Sequence, residues 1–79
     1  MVIEVMGAGC KKCSLLHELV LDAVADLGTG DEVSYVTDLE KIMSAGVLST
    51  PALVIGGELR LAGRVPSKDE LIRLIERAR

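Results

Sequence analysis

The chain has 79 residues, of which 49% are hydrophobic, and its formal net charge is −3. This length fits one domain, residues 1–79, near the lower limit of what folds without cross-links; with Tyr35 as the one aromatic residue, its core must be aliphatic. The acidic balance excludes the basic surface that nucleic-acid binding needs, and no apolar run approaches the roughly 20 residues of a membrane-spanning helix.

The N-terminal segment lacks the pattern of a secretory signal, because Glu4 interrupts the only apolar run there. We therefore expect a cytoplasmic protein with neither nucleic acid nor a membrane as partner. In that reducing compartment, a pair of cysteines is more often catalytic or metal-binding than structural.

The first part of the chain predicts a strand, a long helix and a second strand. Val2–Met6 is nearly continuously apolar, which is typical of a central strand covered on both faces. Apolar residues recur at helical spacing through 11–27, and Gly28 is suited to the left-handed position that ends a helix. The alternation within 32–37 predicts the second strand.

The second part predicts a short helix and then a hairpin. Asp38 caps a helix over 39–44, whose expected buried residues are Leu39, Ile42 and Met43. The apolar strand 52–55 is joined to the strand 58–62 by Gly56-Gly57, a two-residue hairpin signal.

The last predicted element is a helix over 68–78. Ser67 and Glu70 have the spacing of a capping box at its start. The resulting order, βαβαββα, makes the first two strands parallel with a right-handed crossover and the last two antiparallel. We therefore predict an α/β fold with a four-stranded mixed sheet, flanked by three helices, in which the first strand is interior.

Both cysteines lie in Gly9-Cys10-Lys11-Lys12-Cys13, where the first strand gives way to the first helix. Unpaired N–H groups and a partial positive charge at a helix N-terminus favour a thiolate at Cys10, and Lys11 and Lys12 would add to this effect. The thiolate is the form that attacks disulfides and binds metals. Cys13 lies one turn further along the same helix face, within reach of a disulfide. The small residues Gly7 and Ala8 would let a bulky partner reach Cys10.

Three motifs occur in the same order as in thioredoxin-like proteins: Gly7–Cys13, Ser49–Ile55 and Ala62–Ser67. Over nearly its whole length the chain resembles the small thioredoxin/glutaredoxin-like redox-active disulfide proteins of bacteria and archaea. The resemblance implies the minimal thioredoxin fold and a thiol–disulfide oxidoreductase that takes part in electron transport and cell redox homeostasis without a cofactor or metal. Its partners would be disulfide-containing or dithiol proteins, including a reductase.

The resemblance also implies roles for single residues. Cys10 would attack a partner disulfide and Cys13 would resolve the mixed disulfide. Pro51 would follow a cis peptide bond, and Thr50 would offer backbone groups to an extended substrate. Gly63 would leave open space beside the cysteine pair.

Other polar residues are candidates for supporting roles. Glu4 lies six residues before Cys10, where thioredoxins carry an acid that relays protons to the resolving cysteine. His17 follows Cys13 by one helical turn, as a modulator of the pair, a metal ligand or a surface residue. The chain departs from thioredoxin and glutaredoxin in having neither a Trp before Cys10 nor a proline between the cysteines. After the fourth strand it also lacks the two glycines and acid with which glutaredoxins bind glutathione.

Two other functions are compatible with the cysteine pair. A copper or zinc module would bind metal through the cysteine pair, although zinc prefers four ligands and Cys10, Cys13 and His17 supply three. An interaction or regulatory domain would have the same fold, with cysteines that take no part in its function.

Overall fold

The computed structural model describes all 79 residues, and its elements follow the predicted order. The strands are β1 (Val2–Met6), β2 (Glu32–Val36), β3 (Ala52–Ile55) and β4 (Glu58–Ala62), and the helices are α1 (Lys11–Leu27), α2 (Leu39–Ser44) and α3 (Lys68–Arg77). β2 and α3 each end one residue earlier than predicted. None of the helices combines the length and the apolar composition that crossing a membrane requires.

The four strands form one mixed sheet in the order β2-β1-β3-β4. β1 is parallel to β2 and antiparallel to β3, and β4 pairs antiparallel with β3. The predicted α/β architecture, with β1 in the interior, is therefore confirmed. Because β1 and β2 are parallel, their C-terminal ends meet at one edge of the sheet, where α1 begins.

The two faces of the sheet are covered unequally. On one face, α1 and α3 pack over a cluster of 11 buried residues: Ile3, Val5, Leu16, Val20, Ala23, Val24, Leu53, Ile55, Leu61, Leu71 and Ile75. On the other face, α2 covers a cluster of five: Met6, Ile42, Val47, Ala52 and Val54. Most apolar area is thus buried between the sheet and the two longer helices, which makes this side the main source of hydrophobic stabilisation.

The buried side of α2 is narrower than its sequence predicts. Ile42 is 4% exposed, but Leu39 and Met43, which were expected beside it, are 62% and 74% exposed. A helix of six residues makes less than two turns, so only one of its side chains faces the sheet here. The prediction was wrong for Leu39 and Met43.

The predicted turns and caps form, with one exception. Gly28 ends α1 at φ 64°, and Gly56 and Gly57 have φ of 59° and 84° in the hairpin, a region that glycine occupies at no steric cost. Ser67 Oγ accepts the N–H of Glu70 at 3.2 Å, as expected at the start of α3. The Glu70 carboxylate, however, does not return to the Ser67 N–H, because it binds the guanidinium of Arg64 through two hydrogen bonds.

Candidate redox site

The cysteine pair lies at the N-terminus of α1, at the C-terminal edge of β1. Cys10 is the N-cap residue, with extended backbone angles (φ −80°, ψ 164°), and Cys13 lies in the first turn. The two residues form a disulfide, with their α-carbons 5.1 Å apart. The predicted reach between the two sulfurs is therefore confirmed.

The two sulfurs occupy different environments. Cys10 is exposed, whereas Cys13 is completely buried. Cys10 Sγ accepts a hydrogen bond from the N–H of Cys13 at 3.1 Å, in place of the oxygen that usually caps a helix. This N–H points at the sulfur, so the same geometry in the reduced protein would stabilise a negative charge on Cys10.

Small residues shape the connection between β1 and α1. Gly9 adopts φ of 80°, a left-handed conformation that a residue with a side chain rarely takes. The Gly7 N–H extends the β1–β2 pairing by donating to the Val36 carbonyl at 3.0 Å. A Cβ atom on Gly7 would collide with the side chain of Cys13, so this glycine is required by the buried cysteine rather than by access to Cys10.

The Thr50–Pro51 segment lies at the same edge of the sheet. Met6 pairs with Ala52, so Pro51 immediately precedes the last β1–β3 pair, beside Gly7. The Thr50–Pro51 peptide bond is cis, with Pro51 buried and Thr50 exposed. The fold therefore brings this segment to the end of the sheet that carries the cysteines.

Gly63 follows β4 and contacts the same segment. Its N–H donates to the Pro51 carbonyl at 2.8 Å, and a Cβ atom built on it would lie 3.2 Å from the Ser49 Cβ. At φ of 83°, the residue is also in the left-handed region. Gly63 thus fits closely against the Ser49–Pro51 segment, where a side chain would meet Ser49. The open space expected beside the cysteine pair stays a prediction.

The charged residues predicted to tune the reactivity of the cysteines lie in different parts of the structure. Lys11 and Lys12 are exposed in the first turn of α1, which contains no acidic residue. Glu4 is half-buried on β1 between Ser34 and Val54. Because side chains alternate along a strand, Glu4 points away from α1, toward the face that α2 covers.

His17 packs against the edge strand β2 rather than toward the cysteines. Its ring centroid lies 4.8 Å from that of Tyr35, with 37° between the ring planes. No group of three or more His, Cys, Asp or Glu side chains is arranged to hold a metal ion. The metal-binding alternative therefore finds no support in the arrangement of these side chains.

Apolar residues near the site divide between core and surface. Met6 and Val47 are 5% and 6% exposed and belong to the smaller core cluster. Leu48 is 99% exposed, directly before the Ser49–Pro51 segment. The sequence could not separate these cases, since all three are apolar residues next to loops.

A disulfide across the first turn of a helix, with one sulfur exposed and the other buried, on a sheet of this order defines a thiol–disulfide oxidoreductase. Residues 1–76 match the family model described as a thioredoxin domain. The chain is 35% identical over 75 residues to a thioredoxin of Methanothermobacter thermautotrophicus, covering 95% of this chain and 97% of that protein. It is 36% identical over 70 residues to a thioredoxin of Methanocaldococcus jannaschii, covering 89% of this chain and 80% of that protein. The chain therefore belongs to the thioredoxin family.

Two residues at the site were missed or misinterpreted from sequence. Ser49 was predicted only as part of a motif, and its contact with Gly63 depends on two loops that are distant in the chain. Gly7 was recognised as small, but the reason for its size is the position of Cys13. The sequence does carry two glycines shortly before Cys10, which indicate that the backbone there lies close to another group. The sequence does not show that this group is the side chain of Cys13.

Proposed function

We propose that this oxidoreductase reduces or exchanges disulfides of partner proteins, with Cys10 as the attacking sulfur and Cys13 as the resolving sulfur. One observation carries the proposal: the exposed Cys10 Sγ accepts the Cys13 N–H at the helix N-terminus, while Cys13 is buried. A partner sulfur can reach the first cysteine but not the second. Residues 1–79 act as one domain in this proposal.

The proposed reaction begins with both cysteines reduced. The Cys10 thiolate attacks one sulfur of the partner disulfide, forming a mixed disulfide, and the other partner sulfur leaves as a thiolate that takes up a proton. Cys13 then loses its proton and attacks Cys10 Sγ, which forms the Cys10–Cys13 bond and releases the second partner thiolate to be protonated. The partner gains two electrons and two protons and keeps them. A second dithiol protein, such as a reductase, then supplies two further electrons and protons to the Cys10–Cys13 disulfide and is itself oxidised.

Neighbouring residues support these two steps in the proposal. Lys11 and Lys12 add positive charge beside the Cys10 thiolate. Glu4 points away from α1, so in this proposal it takes up the proton that Cys13 releases indirectly, through water, rather than from the sulfur itself. Thr50 is exposed and takes part in none of the loop backbone hydrogen bonds, so its backbone is free to pair with an extended partner segment. Pro51 and Gly63 hold that segment in place through their hydrogen bond. The reaction fits the cytoplasm, where cellular reductants regenerate dithiols.

The test uses insulin as the disulfide substrate and dithiothreitol as the source of electrons. We expect the protein to accelerate insulin reduction over dithiothreitol alone, and Cys10→Ser and Cys13→Ser to abolish the acceleration. Cys13→Ser should accumulate a mixed disulfide between Cys10 and an insulin chain, visible by mass spectrometry without reductant. Trapping by Cys10→Ser instead would reverse the assigned roles, and no acceleration by the unmodified chain would refute the proposal.

A further inference from the structure

Two exposed cations flank the reactive sulfur without an acidic partner. Lys11 and Lys12 occupy the first two positions of α1, between Cys10 and Cys13 in the chain. Both are exposed, and neither belongs to any of the ion pairs in the structure. Their charges therefore face solvent where a partner must approach.

The other charged residues at this edge of the sheet form no ion pair with the two lysines. Glu70 binds Arg64, the residue after Gly63, and raises the pKa of its guanidinium, so that charge is compensated locally. Asp38 and Glu40 lie at the start of α2, where Asp38 Oδ1 accepts the Glu40 N–H at 2.9 Å. Neither forms an ion pair with a lysine.

The two lysines give the start of α1 a charge opposite to that of the chain as a whole. The net charge is −3, whereas the first turn of α1 holds two cations and no carboxylate. At the opposite end of the sheet, Asp31 and Glu58 are paired with Arg79 and Arg60. A charged partner therefore meets unpaired positive charge where it approaches Cys10. Charges at the rim of a contact act mainly on the association rate and its salt dependence.

We propose that the protein selects partner disulfides with acidic residues next to the attacked cysteine. This inference rests on the proposed attack by Cys10. When the mixed disulfide forms, the residues flanking the partner cysteine lie within one or two residues' length of Lys11 and Lys12. Carboxylates there are attracted before and during bond formation, whereas partner lysines are repelled.

The test compares two disulfide-bridged peptides that differ only in having Glu or Lys on each side of the cysteine. The ratio of their second-order rate constants with reduced protein is divided by the same ratio with dithiothreitol. Dithiothreitol also attacks as a thiolate but carries no neighbouring cation, so its ratio reports how the two peptides react with an isolated thiolate. We expect a corrected ratio of about 5 to 20 in favour of the acidic peptide at about 20 mM salt. At about 500 mM salt it should fall to about 1 to 2, because screening then acts over a few ångströms.

Two variants test whether the lysines cause the preference for the acidic peptide. The double variant Lys11→Gln/Lys12→Gln should lower the corrected ratio at low salt at least about threefold. Any change in Cys10 reactivity cancels, because the same sulfur attacks both peptides. Arg77→Gln removes one positive charge from an exposed, unpaired residue near the end of α3 and should leave the ratio unchanged.

The outcomes separate this inference from the proposed function. A corrected ratio of about 1 at low salt would overturn the selectivity while leaving the proposed reaction intact. Arg77→Gln removes half as much charge as the lysine variant. A loss of selectivity in Arg77→Gln half as large as in the lysine variant, compared as logarithms of the ratio, would therefore also overturn it, because net charge would then be the cause. Reduction of neither peptide would refute the proposed function, and this inference with it.

Discussion

The α-carbon of Gly7 lies directly against the side chain of Cys13. A Cβ atom at residue 7 would collide with Cys13 Sγ and lie 2.8 Å from Cys13 Cβ. Since Gly7 is not among the glycines with positive φ, the position requires space rather than an unusual backbone conformation. The end of β1 and the buried half of the disulfide are thus fitted to each other.

Gly7→Ala should therefore disturb both stability and redox equilibrium. We expect the free energy of unfolding to fall by about 1–3 kcal/mol, as for other overpacked sites. The dithiol should be favoured relative to the disulfide, because the reduced Cys13 side chain is free to rotate away from the added methyl group. Urea unfolding and equilibration with glutathione redox buffers measure the two effects.

Gly30→Ala is the matched control for this change. Gly30 has φ of 68° and nothing within 4 Å of a built Cβ atom, so alanine there costs roughly 1–2 kcal/mol through backbone strain alone. It should leave the thiol–disulfide equilibrium unchanged. An unaltered equilibrium in Gly7→Ala would contradict the close fit.

Glu4→Gln tests the proposed proton relay. If Glu4 accepts the proton of Cys13, the variant should resolve mixed disulfides at least about tenfold more slowly near neutral pH, while the first attack by Cys10 changes little. Rapid-quench measurements of both steps across pH separate the two rates. Glu76→Gln, at an exposed position of α3, serves as the control with the same change of charge. Unchanged rates and pH profile in Glu4→Gln would exclude the relay.

The exposed apolar residues of α2 should contribute little to stability. Ile42→Ala should lower the free energy of unfolding by about 2–5 kcal/mol, since it removes the one α2 side chain buried against the sheet. Met43→Lys should change it by less than about 0.5 kcal/mol. Denaturant unfolding of both variants compares them directly, and a large loss in Met43→Lys would mean that this residue is buried in solution.

Asp31, at the end of the sheet away from the cysteines, should make stability depend on acid pH. Hydrogen bonds from Arg79 and Thr29 lower the pKa of Asp31 from 3.8 to about 2. Because the folded state binds the proton more weakly, the stabilisation is fully present above pH 3.8 and is lost as the pH falls through about 2.

Asp31→Asn should accordingly be less stable than the unmodified chain at pH 7, with a difference that shrinks in this acid range. Urea unfolding at a series of pH values measures the difference. Asp22→Asn is the control, since Asp22 is exposed and forms no ion pair. A pH-independent difference would show that Asp31 acts by other means than its charge.

Local signals in the sequence were sufficient for most of the fold. The periodicity of apolar residues predicted the helices and strands, and Gly28, Asp38 and Gly56-Gly57 predicted where they begin or end. These signals are reliable because each depends only on neighbouring residues in the chain. The cysteine pair was predictable for the same reason, since its spacing and its place at a strand–helix junction lie within one short segment.

The failures involve groups that meet only after folding. Glu70 was expected to complete a capping box, but Arg64, from the preceding loop, binds its carboxylate instead. The periodicity of α2 could not show that the sheet face beneath it accommodates Ile42 alone. The contact of Gly63 with Ser49 joins the segments before β3 and after β4, and no local pattern reports it.

The unequal covering of the sheet predicts that the half of the molecule around α2 opens more easily than the half around α1 and α3. α1, which carries the cysteine pair, is anchored in the larger cluster, whereas the chain between α2 and β3 rests on the smaller one. We expect amide hydrogens of α2 to exchange at a lower opening free energy than those of α1. In the proposed reaction, Thr50 would then adjust to partner segments of different shape while the attacking sulfur of Cys10 keeps its position.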